Sequence, residues 1–333
     1  MATLYLTEQG AVLRKTGERL IVEKEDQELL EIECFKVDTI FVFGNVHVTT
    51  PALATLLDHG IELAFLTMTG RLKGQLTPPK AKNVLLRVAQ YQKLQEVAFA
   101  LELARSFVQG KVQNALALLT RQHRNYPERG FEPYRQELTR LLPRLDTAPT
   151  LDTLRGLEGT AARTYFQGFS LACRTELAFP GRRRRPPTDP INALLSFGYT
   201  LINAELTSLL DAMGYDPYIG FFHQLDYGRP SLALDLLEEF RVPAVDRLVL
   251  NLTNLRVLQQ EDFVVDTDSG GLRLQRQALG KFFRAYEEHL NREFIDKGCG
   301  ETTTLRKSFR RQAERLAAHL TRGEPYAPLL VTW

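Results

Sequence analysis

The chain has 333 residues, 44% of them hydrophobic and 25% charged, enough apolar material for one large core or two of moderate size. Its 42 Lys and Arg against 40 Asp and Glu leave a formal charge of only +2, which excludes a protein that coats nucleic acid by bulk charge alone. Three scattered cysteines, Cys34, Cys173 and Cys299, exclude a disulfide framework and a cysteine zinc cluster, and no uncharged apolar run reaches the roughly eighteen residues of a membrane span.

The amino terminus, MATLYLTEQG, lacks the basic-then-apolar layout of a signal peptide, so a soluble, cytoplasmic protein is expected. Residues 1–77 read as a small β domain. TLYL, AVLRK, RLIVEK, DTIFVFG, HVTT, IELAFLT and RLKGQLT carry β-branched and aromatic residues between Gly-containing turns. One helix interrupts them, with Thr50 as N-cap, Pro51 in the first helical position and Gly60 as the left-handed residue after ALATLLDH. TPPKAK breaks the strand pattern and makes residues 78–82 a linker.

From Asn83 to residue 333 helical spacing takes over, giving an α+β protein with a large all-α second domain. Val84, Leu85, Val88, Tyr91, Leu94, Val97, Ala98 and Leu101 recur at three- and four-residue intervals. Further helices are expected near 110–124, 131–142, 152–168, 189–212, 231–240, 243–259, 275–295 and 302–322. DTDSGG at 266–271 begins like a calcium loop, but Gly270 and Gln277 stand where ligands are needed, and a hairpin turn fits better.

Two stretches carry candidate chemistry. In LDTLRGLEGTAARTYFQGF, Leu154, Leu157, Ala161, Ala162, Tyr165 and Phe166 share one helical face, and Glu158 falls near its middle. An inward carboxylate needs an ion pair, a shifted pKa or a bound cation, and an arginine such as Arg155 would serve as well as a metal. Gly156 and Gly159 would let another backbone or a ligand approach. In GFFHQLDYGRPSLALDLLEEFR, Ser231 suits an N-cap and Leu232, Ala233, Leu234, Leu236, Leu237 and Phe240 form an apolar side. Asp235, Glu238 and Glu239 share the opposite arc, where a solvated helix face and a shared oxygen site look alike. His223, judged by itself, reads more readily as a satisfied core histidine than as a ligand. Two oxygens and one imidazole would suit Mn²⁺ or Mg²⁺; no HExxH or paired-cysteine motif supports zinc.

Together these stretches resemble the CRISPR-associated spacer-acquisition integrase family, the metal-dependent DNases of CRISPR adaptation. The likeness runs through KNVLLRVAQY at 82–91, RGLEGTAARTYF at 155–166, RRRRPPTDPINALLSFGYTLINAEL at 182–206 and GYDPYIGFFHQLDYGRPSLALDLLEEFRVPAVDRLVL at 214–250. The first seventy-odd residues fit the family's β domain by layout more than by motif. The resemblance implies that Glu158, His223 and Glu238 hold Mn²⁺ or Mg²⁺, with Asp235 beside them as a further catalytic residue. It also implies attack by a prespacer 3′-hydroxyl on the leader-repeat boundary of a CRISPR array. The partners so implied are duplex DNA, a second copy joined through the β domains, and a small ferredoxin-like CRISPR adaptation protein.

DNA carried past such a site needs phosphate contacts. The candidates are Arg182, Arg183, Arg184 and Arg185, and on the last helix Arg306 with Arg310 and Lys307 with Arg311, each pair four residues apart. Arg87 and Arg229 are further candidates, each equally suited to an intramolecular salt bridge. A non-catalytic DNA-binding scaffold and a metal-dependent hydrolase of small phosphoesters are the rival functions.

Overall fold

Among the described residues 2–76, eight strands and one α-helix begin the amino-terminal unit. One sheet has the order β1-β5-β7-β8, from β1 (Ala2–Leu6), β5 (Val37–Phe43), β7 (Glu62–Leu66) and β8 (Leu72–Leu76). β5 pairs in parallel with β1 and β7, while β8 returns antiparallel to β7. Its run VDTIFVF is buried from Ile40 to Phe43, the near-continuous apolar pattern of a strand covered on both faces. The second sheet, β4-β3-β2-β6, comes from β2 (Val12–Thr16), β3 (Arg19–Lys24), β4 (Gln27–Glu33) and β6 (His47–Val48). β4 was not expected: QELLEIE alternates poorly and most of its residues are exposed, so it lies at an edge where pattern is weak. Leu13, Leu20, Ile40, Leu56 and Leu63 fill the core.

Helix α1 (Thr50–Asp58) lies where it was expected, shifted in its cap. Thr49, not Thr50, stands at the N-cap and accepts a hydrogen bond from Ala52 N, because Thr50 has already taken helical geometry. Gly60 adopts φ +67° after the last turn, as anticipated.

The computed structural model describes residues 2–76, 83–267, 270–297 and 299–331, so the expected linker at 78–82 lies outside the described residues. The chain groups into two units, residues 1–84 with 200–214, and 85–199 with 215–333. The first therefore recruits a segment from far along the sequence. Within it Ser208 Oγ donates to Glu62 Oε2 at 2.7 Å and Gln75 Nε2 to Asp211 Oδ2 at 3.2 Å, pairings across long sequence separations that local pattern does not reveal.

After the β-rich start, α2 (Val84–Gln95) and α3 (Val97–Asn125) precede α4 (Glu132–Asp146), α5 (Leu151–Ala172) and α6 (Pro190–Met213), whose residues 200–213 are the segment recruited by the first unit. Helix α6 is long and apolar enough to cross a membrane, yet 72% of its most apolar window is buried within the protein, as in a core helix. Helix α7 (Ser231–Phe240) runs through a π-helical turn at Arg241–Asp246 into α8 (Arg247–Asn254). Pro243, lacking an N–H, sits in that turn and accounts for the break between two segments expected as separate helices. Strands β9 (Phe263–Val265) and β10 (Leu272–Leu274) pair antiparallel, placing a hairpin where a calcium loop had been set aside. Helix α9 (Arg276–Leu290), the short pair β11 (Glu293–Ile295) and β12 (Thr302–Thr304), and α10 (Leu305–Arg322) complete the unit.

The apolar repeat read along α2 faces outward over much of its length. Val84 and Leu85 are 58% and 80% exposed, whereas Leu86 and Gln90 are buried. Gln90 is drawn inward because its side chain donates to Asp216 O and Ile219 O and accepts from Asp216 N, pinning the loop that leads to His223. Periodicity groups residues on a face without saying which face is covered.

Candidate active site

Thr150 caps α5 by accepting from Thr153 N at 3.2 Å, and the helix then presents Glu158 toward α3. Glu158 is half-buried, and its ion-pair partner is Lys111 of α3 rather than Arg155. Arg155 is already engaged, with Asp152 Oδ1 at 2.7 Å and Phe222 O at 2.9 Å. The Lys111 ammonium also lies 2.6 Å from Glu238 Oε2, without hydrogen-bond geometry, so one cation stands against two acids from separate helices. Gly156 and Gly159 border open space, and no backbone approaches either.

Nine of the ten residues of α7 are buried, Leu234 being the half-buried exception, which rules out a solvated face for Asp235, Glu238 and Glu239. Ser231 does not cap this helix; Pro230 takes the cap position and Ser231 Oγ turns away to donate to Gln224 O at 3.0 Å. Asp235, fully buried, accepts from the backbone N–H groups of Phe221, Phe222 and His223 at 2.6 to 3.0 Å. Only glycine fits at 220, since a Cβ there would lie 2.7 Å from the Ser231 carbonyl carbon and 2.8 Å from Asp235 Oδ2. The same carboxylate takes the Nδ1 proton of His223 at 2.7 Å, leaving Nε2 as the lone-pair nitrogen, 3.8 Å from Glu238 Oε1. Burial alone would raise the pKa of Glu238. The charges of Arg241 and Lys111 outweigh burial and hold the group well below the usual carboxylate range.

Glu158 and Glu238 thus meet at one ammonium, with the imidazole of His223 beside Glu238. Among the described residues no three His, Cys, Asp or Glu side chains are close enough to coordinate one ion as they stand. The donor set nonetheless fits a hard divalent cation: two carboxylates, one imidazole nitrogen with its tautomer fixed, and a positive charge already drawn between the acids.

Several neighbours of these acids carried no sequence signal. Arg241 donates to Glu238 Oε1 at 3.1 Å and lies 4.6 Å from the Tyr199 ring centroid. Asp246 is buried and accepts from the hydroxyls of Tyr165, at 2.7 Å, and Tyr199. Burial pushes its pKa up to about 6 against those hydrogen bonds. Lys111, Arg182, Arg184, Tyr199, Arg241 and Asp246 line one cavity next to the acids.

Of the expected DNA contacts, Arg182 is largely committed within the fold, donating to Asn192 Oδ1 at 2.8 Å and Ser196 Oγ at 3.2 Å. Arg183, Arg184 and Arg185 are exposed. On α10, Arg306 pairs with Glu287 and Arg311 with Glu301, whereas Lys307 and Arg310 are exposed and form no ion pair among the described residues. Their spacing alone did not separate paired from unpaired charges.

The sequence profile of "CRISPR associated protein Cas1" matches residues 4–288. The chain is 38% identical over 333 residues to the CRISPR-associated endonuclease Cas1 3 of Thermus thermophilus, covering 98% of this chain and 97% of that one. A casposase bound to integration product superposes with TM-score 0.85 at 26% identity, over 98% of this chain and 93% of that one. A Cas6-RT-Cas1–Cas2 complex gives 0.81 at 26% identity over 97% of this chain, which spans 35% of that longer one. A β-rich amino-terminal domain followed by a mostly helical one is the Cas1 fold, and the chain belongs to the Cas1 family, CRISPR-associated endonucleases with an integrase role in spacer acquisition.

Proposed function

We propose that this Cas1 inserts prespacer DNA into a CRISPR array by divalent-metal-dependent transesterification, with Glu158, His223 and Glu238 as ligands of Mn²⁺ or Mg²⁺. The observation that carries this reading is the single ammonium bridging Glu158 and Glu238, beside an imidazole that Asp235 holds with Nε2 free. The bound ion would polarise the scissile phosphate and offset charge on the leaving oxygen. Asp235 orients the imidazole through Nδ1 and fixes the backbone of Phe221 to His223. Arg241 holds Glu238 by its other oxygen. Arg183, Arg184, Arg185, Lys307 and Arg310 are the exposed cations best placed to contact phosphates, and Arg182 braces the arginine segment. Nicking would be the same displacement with water as nucleophile.

The working unit in this reading is a homodimer joined through the β domains, acting in the cytoplasm with a small ferredoxin-like adaptation protein. The Cas2-containing complex among the similar structures supports such a partner. A strand-transfer assay tests the proposal, using duplex DNA with free 3′-hydroxyls and a CRISPR leader-repeat target. Product is expected with Mn²⁺ or Mg²⁺ and none in EDTA. DNA binding with no product under either condition would favour a scaffold. Turnover of a mononucleotide phosphoester with indifference to duplex DNA would favour a small-phosphoester hydrolase.

A further inference from the structure

Glu158 and Glu238 come from different helices and face each other at the rim of a buried site, where two ionised carboxylates without a cation between them would repel strongly. Glu238 has 3% of its side chain exposed and Lys111 13%, so solvent counter-ions have little access. Arg241 bonds only Oε1 of Glu238 and acts on Glu158 through charge alone, so Lys111 is the cation in contact with Oε2 and with Glu158. The ammonium lies 2.6 Å from Oε2, and its charge lowers the pKa of Glu238. Lys111 also borders a cavity lined in part by Val112, Ala115, Arg184 and Arg241. A compact charge on a flexible four-carbon stem can withdraw in a way that a forked guanidinium cannot.

We propose that Lys111 is a displaceable counter-cation of the Glu158–Glu238 pair, holding the two acids together in the metal-free protein and competing with the divalent ion for them. This rests on the reading of these acids as metal ligands. The lysine keeps the metal-free site folded and gathered, and it sets the concentration of divalent ion at which the enzyme loads. On loading, the ammonium gives up its contacts with the two acids.

The test is calorimetric titration of Mn²⁺ into the full chain and into Lys111→Met, with melting temperatures measured in EDTA and in excess Mn²⁺. In Lys111→Met, Mn²⁺ is expected to bind about tenfold more tightly or better, equivalent to about 1.4 kcal/mol. The melting temperature in EDTA should fall, and its rise on adding Mn²⁺ should exceed that of the wild type. Equal or weaker Mn²⁺ binding by a folded Lys111→Met protein would overturn the inference, because a residue that merely positions the acids would aid the metal. Lys111→Gln carries the same test if the methionine variant does not fold. Glu158→Gln separates the underlying reading: Mn²⁺ affinity equal to wild type in that variant would remove Glu158 from the ligand set and the inference with it.

Discussion

Glu158→Ala is expected to lower strand transfer by at least about 10³-fold while leaving affinity for duplex DNA within about twofold. A bound divalent ion contributes several kcal/mol of charge stabilisation at the reacting phosphate, and the variant removes one of the side chains that would hold it. Affinity should survive because exposed cations elsewhere, such as Arg183 and Arg310, supply phosphate contacts. The loss cannot be attributed to unfolding if the melting temperature in EDTA stays near that of wild type. Here the change has two opposing parts, since Lys111 loses one partner but keeps Glu238. Integration product and filter-binding affinity, measured on the same preparation, check the prediction together.

Glu239→Ala is expected to destabilise the protein by about 3–5 kcal/mol in denaturant unfolding, a far larger effect than a surface glutamate would give. Glu239 is fully buried and collects hydrogen bonds from Leu329 N at 2.7 Å, Gln312 Nε2 at 2.6 Å and Tyr326 OH at 2.5 Å. Its backbone carbonyl accepts from Asn114, which also donates to Leu329 O at 2.9 Å. One carboxylate next to the proposed ligand Glu238 therefore straps the carboxy-terminal segment across α3 and α7. Burial raises the pKa of Glu239 to about 7 from 4.5, against those hydrogen bonds. The folded protein thus holds this proton more tightly than the unfolded chain does. The stability so contributed is full below about 4.5 and is lost as pH rises through about 7. Glu239→Gln removes that slope, so its stability deficit relative to wild type should narrow between pH 5 and pH 8, roughly the window those values define.

The α+β class, the existence of most helices and the strand-rich start were legible because hydrophobic period and Gly or Pro punctuation are local signals. β4 escaped because a charged edge strand has no alternation to read, and the recruitment of 200–214 escaped because it depends on contacts such as Ser208 with Glu62. At the site, Glu158 stood out by its position on an apolar face. Periodicity left His223, Asp235 and Glu238 ambiguous, a solvated arc being one reading of Asp235; the structure shows it buried with four donors. Family likeness carried those three. Lys111 and Arg241 carried no signal at all, since a lysine or arginine on an amphipathic helix is ordinary until its partners are known. The outward stripe of α2 shows the same limit from the other side.

Anomalous scattering from a crystal soaked in Mn²⁺ tests the central claim most directly. A single strong peak ligated by Glu158, His223 Nε2 and Glu238, with the Lys111 ammonium withdrawn from between the acids, is the predicted result. A fully soaked crystal in which Lys111 still bridges Glu158 and Glu238 while manganese binds elsewhere would contradict it.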